Sequence, residues 1–198
     1  MKSILFGMIT CVSLVGTAFA EENADSVWIR DYLTQTPDFP KKGINFLSYE
    51  RLLADSEAFH KMILTFANRY QESNLDAVIG LDSRGFIFGA ALAYELRVPF
   101  VMIRKAGKLP RQVERIDYEV EYGTNSFEIQ VDKLQSGDRV VIIDDVLATG
   151  GTAHAAVELV ERLGAEVVEF ACLLEIPFLQ GREKVARPVY TLLVVDTP

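Results

Sequence analysis

The sequence predicts an α/β domain with a mostly parallel sheet flanked by helices. Two stretches carry this. Val140-Val141-Ile142-Ile143 is an unbroken β-branched run, the composition of a strand buried on both faces. A small-residue loop and an amphipathic helix follow it. Asp76-Ala77-Val78-Ile79-Gly80-Leu81 is a second short apolar run, followed by Asp82-Ser83-Arg84-Gly85 and a nearly all-apolar helix from Phe86 to Leu96. Strand, loop and helix repeated in this order lay helices on a parallel sheet, with ligands expected at the strands' C-terminal ends.

A chain of 198 residues that is 49% hydrophobic can bury one sizeable core, so a single domain over 21–198 is expected. A net charge of −8 argues against a nucleic-acid binder, which needs a basic face. The basic residues that do cluster are Arg104, Lys105, Lys108, Arg111 and Arg115, and they read as a local anion site. Cys11 and Cys172 fit neither a disulfide scaffold nor a zinc site. His60 and His154 fall in predicted helices and read as surface residues, so a Ser-His-Asp arrangement has no support.

Taken in order, residues 1–20 stand apart from the domain. Lys2 is basic, Ile4 to Gly16 is apolar, and Ala18-Phe19-Ala20 has the form of a cleavage site. This is the pattern of a secretory signal peptide, or else an N-terminal extension. No apolar run of membrane-spanning length follows, so no span is expected. Residues 26–33 read as a short helix. Residues 36–46, with Pro37, Pro40 and Gly43, read as an ordered loop. Phe59, Met62, Ile63, Phe66, Ala67 and Tyr70 mark the core face of a helix over 52–71. Strands are expected at 98–103, 118–123, 126–131, 166–174 and 189–195, with a charged, weakly patterned segment at 111–118 that reads as a mobile flap. Ala153, Ala156, Val157 and Val160 set a helix over 152–163, closed by Gly164 at C′.

The chemistry concentrates at residues 144–152. Asp144 and Asp145 end the central strand, and Ala148-Thr149-Gly150-Gly151-Thr152 leads into the helix. Unpaired N–H groups of a helix's first turn and the helix dipole make an anion site. Gly150 and Gly151 let the backbone approach a phosphate, and Thr149 and Thr152 add hydroxyl donors. Paired carboxylates repel phosphate but accept hydrogen bonds from two neighbouring sugar hydroxyls. Phosphate cradle and diol acceptor together read as a ribose 5-phosphate site. At Arg84 a planar fork of donors beside Gly85 suits a diphosphate. Neither a G-x-x-x-x-G-K-[ST] loop nor a G-x-G-x-x-G turn after a strand is present.

Asp144-Asp145-Val146-Leu147-Ala148-Thr149-Gly150-Gly151-Thr152 resembles the phosphoribosyl pyrophosphate motif of the type I phosphoribosyltransferases. Gly80-Leu81-Asp82-Ser83-Arg84-Gly85 and Tyr118 to Gly123 resemble further segments of that family, specifically of its members that use adenine. The resemblance covers about 26–196. It implies that family's fold, a mostly parallel sheet with a small hood and a flexible flap, and a homodimer. It also implies the reaction of adenine with 5-phosphoribosyl 1-pyrophosphate to give AMP and pyrophosphate. By the same resemblance Phe46 stacks on the purine and the backbone of Asn45 and Leu47 reads its edge. Arg84 and the Ser83 amide hold the pyrophosphate, across a cis Asp82–Ser83 peptide. Lys105 and Lys108 neutralise the leaving group, Glu121 handles the proton near purine N7, and Tyr122 covers the site. Mg²⁺ rides on the substrate, with no direct protein ligand. Arg182, in Gly181-Arg182-Glu183, is structural or interface-forming. The chain departs from the family after Phe46: a basic residue and Asp-Ile-Thr-Pro are usual, whereas this chain has Leu47-Ser48-Tyr49-Glu50-Arg51. Such a substrate implies the cytoplasm, while residues 1–20 imply export. The alternatives are a same-fold transferase for another purine and a non-catalytic sensor of phosphoribosyl pyrophosphate.

Overall fold

The computed structural model describes residues 24–39, 41–43, 45–120 and 123–195. Residues 1–20, with the expected signal segment, and Glu121 and Tyr122 lie outside the described residues.

A seven-stranded sheet organises the domain. Its strands are β3 (Ala77–Leu81), β4 (Phe100–Lys105), β5 (Val113–Val120), β6 (Gly123–Gln130), β7 (Arg139–Leu147), β8 (Glu166–Glu175) and β9 (Val189–Val194), in the order β5-β6-β4-β3-β7-β8-β9. The five strands from β4 to β9 in that order run parallel, and the β5–β6 hairpin adds antiparallel to β4. The β-branched run of β7 explains the layering. Val140 and Ile142 point into one core with α4 (Gly151–Arg162), and Val141 and Ile143 into a second with α2 (Ser56–Tyr70) and α3 (Gly85–Leu96). All four are fully buried, as a strand covered on both faces requires.

Three sequence expectations change. First, the stretch read as a loop contains a small antiparallel pair, β1 (Thr34–Pro37) and β2 (Asn45–Ser48). Its exposed and half-buried side chains give no core alternation to read. Second, the single helix over 52–71 is two, α1 (Glu50–Ala54) and α2, because the Asp55 carboxylate accepts from the amides of Glu57 and Ala58 and caps α2. Third, the segment read as a flap, weakly patterned in sequence, takes the form of a strand, β5, paired along its length with β6. Its charges are matched locally, since Arg115 donates to Asp117 and Ser126. A short helix α5 (Gly181–Lys184), also unforeseen, lies beneath the loop that opens α4.

The connection from β3 runs over one face of the sheet through α3, and that from β7 over the other face through α4. The crevice between the C-terminal ends of β3 and β7 is therefore the switch point where α/β sheets hold ligands.

Candidate active site

Both sequence motifs meet at that crevice. β7 extends to Leu147, so Asp144 and Asp145 lie within the strand, with Val146 and Leu147 after them, rather than at its end. Residues 148–150 then turn into α4, with Gly150 at φ 78° as its N-cap. A Cβ on Gly150 would strike the carbonyl oxygen of Gly181, and one on Gly181 would strike that of Ala148. Glycine at both positions lets the loop seat on α5. α5 is anchored in turn: the Arg182 guanidinium donates to both oxygens of the buried Glu175 carboxylate and to the Val189 carbonyl (2.7 Å). These contacts give Arg182 a structural role, one of the two its motif implied.

After β3, the Asp82–Ser83 peptide is cis. Gly85 packs against β7 so closely that a Cβ would lie 2.7 Å from the Ile143 carbonyl oxygen. The two loops are thereby neighbours. Arg84 Nε lies 3.0 Å from Asp145 Oδ2. The Tyr49 hydroxyl donates to the same oxygen at 2.7 Å. The Asp145 amide donates to Asp144 Oδ1 at 2.9 Å. Burial, reinforced by the Asp145 charge, pushes the Asp144 carboxyl well above the usual carboxylate range. The acid pair thus favours a partner that brings positive charge or hydroxyl donors.

A cavity of about 390 Å³ opens here, lined by Asn45, Phe46, Leu47, Arg84, Asp144, Asp145, residues 146–150 and Thr152. Residues 45–47 of the hood, Arg84, the acid pair and the helix-opening loop, separated by up to 107 residues in sequence, share one space. In the hood, Phe46 packs edge-on to Phe39 with ring centroids 5.3 Å apart. The Asn45 side-chain oxygen is buried with no hydrogen-bond partner among the described residues.

Gly151, Ser83, Lys105 and Lys108, also expected at the site, are not among the residues that line this cavity. Gly151 forms the first turn of α4, and Ser83 is an exposed residue of the cis turn. Lys105 is exposed at the end of β4. Lys108 stands 3.6 Å from Asp82, which also holds Arg104 at 3.3 Å. The basic cluster is therefore not one open anion patch: Arg111 pairs with Asp132 and Arg115 with Asp117. His60 and His154 are on the surface, as expected.

Two tyrosines at the site escaped the sequence reading. Tyr49 registers there only as a departure from the family pattern. Tyr118, from β5, interacts with the side chains of Thr152 and Asn125, and burial raises its phenol. Its position four residues before Tyr122 carries no local signal for a contact with the loop before α4.

Comparison with known proteins agrees with this architecture. The family described as "Phosphoribosyl transferase domain" matches residues 48–197. An adenine phosphoribosyltransferase of Syntrophotalea carbinolica is 49% identical over 156 residues, which is 79% of this chain and 91% of that protein. Adenine phosphoribosyltransferase 4 of Arabidopsis thaliana is 45% identical over 166 residues, covering 83% of this chain and 91% of the relative. Among solved structures, adenine phosphoribosyltransferase from Saccharomyces cerevisiae, complexed with an imino-altritol bisphosphate and adenine, superposes with a TM-score of 0.80 at 44% identity, over 84% of this chain and 97% of that one.

Proposed function

The chain belongs to the phosphoribosyl transferase domain family, and from that premise we infer that it is an adenine phosphoribosyltransferase, forming AMP and pyrophosphate from adenine and 5-phosphoribosyl 1-pyrophosphate. The observation that carries this is the single cavity shared by residues 45–47, Arg84, the Asp144–Asp145 pair and the loop before α4. Each wall suits one part of the substrates. The loop amides of residues 148–152 and the Thr149 and Thr152 hydroxyls hold the 5-phosphate. Asp144 and Asp145 accept from the ribose hydroxyls.

Arg84, the Ser83 amide, Lys105 and Lys108 take the pyrophosphate, and their fixed positive charge favours its departure as the anomeric carbon becomes cationic. Phe46 stacks on the purine, and the backbone of Asn45 and Leu47 reads its edge. The orphaned Asn45 side-chain oxygen adds an acceptor that suits an exocyclic amine. Glu121 moves the proton at purine N7 and Tyr122 closes over the bases of the site. Mg²⁺ enters as part of the phosphoribosyl pyrophosphate substrate. The hard oxygens of Asp144 and Asp145 suit its neighbourhood, and it supplies charge neutralisation of the pyrophosphate.

Two copies pair in this proposal, supported by the exposed apolar side chains Ile87 (42%) and Tyr94 (85%) on one face of α3 and Met102 (39%) on β4 beside it. A monomeric mass by light scattering would oppose it. The substrates favour the cytoplasm, whereas residues 1–20 favour export; the N-terminal residue of the protein isolated from its own cells decides between them. No helix among the described residues is long and apolar enough to cross a membrane.

The function is tested by supplying the full chain with phosphoribosyl pyrophosphate, Mg²⁺ and each purine base in turn. AMP from adenine alone is expected. Nucleotide from hypoxanthine or xanthine instead would reassign the base. Tight sugar-phosphate binding with no product from any base would make the protein a sensor.

A further inference from the structure

The hood and the ribose acids are joined by one side chain. Tyr49 follows β2 directly, three residues after Phe46. Its hydroxyl crosses to β7 and donates to Asp145 Oδ2 at 2.7 Å. Arg84 Nε reaches that same oxygen at 3.0 Å. Neither contact uses Asp145 Oδ1. Tyr49 is 4% exposed, and its ring is held against Phe88, with centroids 5.8 Å apart. It therefore has little freedom to swing away. Burial, then the Asp145 charge, drives the Tyr49 phenol above its ordinary value, so it stays a donor throughout the neutral range.

We propose that Tyr49 is a positioning residue for phosphoribosyl pyrophosphate: by occupying Oδ2 together with Arg84, it fixes the Asp145 carboxylate so that Oδ1 faces the ribose hydroxyls, and it ties the hood's placement to that carboxylate. The proposal rests on the reading of Asp145 as a ribose acceptor. A carboxylate held by one guanidinium nitrogen alone can rotate about its χ2. The directional Tyr49 hydrogen bond to the same oxygen restrains that rotation before the sugar arrives, and binding then has less to order. Tyr49 touches neither the sugar nor the base in this role and acts through Asp145.

The experiment is a double-substitution cycle read by calorimetric binding of phosphoribosyl pyrophosphate with Mg²⁺, using the full chain, Tyr49→Phe, Asp145→Asn and the pair together. Tyr49→Phe keeps the ring on Phe88, so its melting midpoint should match that of the wild type. Its affinity for phosphoribosyl pyrophosphate should fall about tenfold, the scale of one hydrogen bond to a charged acceptor. In the Asp145→Asn background the same change should cost less than about twofold, because the group it positions is gone. The KM for adenine should move less than that for phosphoribosyl pyrophosphate. An equal loss in both backgrounds, unchanged affinity in Tyr49→Phe, or a variant that no longer folds would overturn the proposal. The last result would make Tyr49 a core residue. If the wild type itself does not bind phosphoribosyl pyrophosphate, the ribose reading falls and this proposal with it. If the wild type binds and only Asp145→Asn weakens it, the proposal alone falls.

Discussion

Two carboxylates on neighbouring strands hold the same kinds of partner and differ in what those partners leave open. Asp145 on β7 and Glu169 on β8 are both almost fully buried, at 4% and 6% exposure. Each accepts from a tyrosine hydroxyl at 2.7 Å, Tyr49 for Asp145 and Tyr70 for Glu169. Each is also held by an arginine. Arg69 closes on both Glu169 oxygens at 2.6 Å and stacks over Tyr190 at 4.1 Å, making a forked pair. Arg84 reaches only one Asp145 oxygen, and its guanidinium lies 6.0 Å from the Tyr49 ring. The Glu169 constellation is closed on itself and forms no part of the lining of the site cavity; Asp145, held at one oxygen, lines it. Burial and partner types are shared, so the proposed ribose role of Asp145 turns on the oxygen that Arg84 and Tyr49 leave over, where Arg69 takes both of Glu169's.

The same isosteric change at the two sites should therefore have opposite readouts. In the proposed role, Asp145→Asn removes a charged acceptor for the ribose. Turnover should drop by roughly 10- to 150-fold, the equivalent of about 1.5–3 kcal/mol, with little change in melting midpoint. Glu169→Gln should do the reverse. Arg69 and Tyr70 lose their charged acceptor, but the Arg69 side chain is 42% exposed and can turn to water. The cost should accordingly be about 1–3 kcal/mol of stability, with kcat retained by the folded fraction. Steady-state kinetics and thermal melts on both variants test the comparison. Loss of turnover in Glu169→Gln without loss of stability would break it.

The two sites also differ in how far the sequence exposes them. Residues 144–152 and 82–85 are legible because their chemistry is local: an apolar run, acids or an arginine, and glycines at the turn, all within twelve residues. The parallel sheet follows from those same runs. The hood is less legible, because β1 and β2 are short and exposed and so carry no alternation. The break at Asp55 has a local signal, an aspartate two and three residues ahead of the amides it caps, which the continuous apolar period on either side of it hides. Tyr49 is the limiting case. Its partner lies 96 residues away, and one hydroxyl among seven tyrosines announces no role until the fold sets it against Asp145. The paired charges of β5 mislead in the other direction, since charge without apolar period reads as a loop until β6 is beside it.

The smallest effect sharpens the comparison most, because it concerns the sign of a charge's contribution. Asp144 has no arginine fork of its own, and burial and the Asp145 charge hold its carboxyl well above the usual range. The folded protein thus favours the protonated form. The resulting stability is present at pH below the ordinary carboxylate value of about 4 and is lost as pH rises through the raised value. At neutral pH the ionised pair is a cost that the unliganded protein carries and that, in the proposed role of the pair, bound Mg²⁺–phosphoribosyl pyrophosphate would relieve. Asp144→Asn should then raise the melting midpoint of the unliganded protein at pH 8 by about 2–4 °C, as roughly 1 kcal/mol does in a chain of this size. The gain should shrink toward pH 4, and the thermal protection conferred by phosphoribosyl pyrophosphate should fall. A carboxylate of the closed kind gives the opposite sign, because its arginine loses a partner. A lower midpoint for Asp144→Asn at pH 8 would therefore place Asp144 with Glu169 and leave Asp145 as the one open acid of the site.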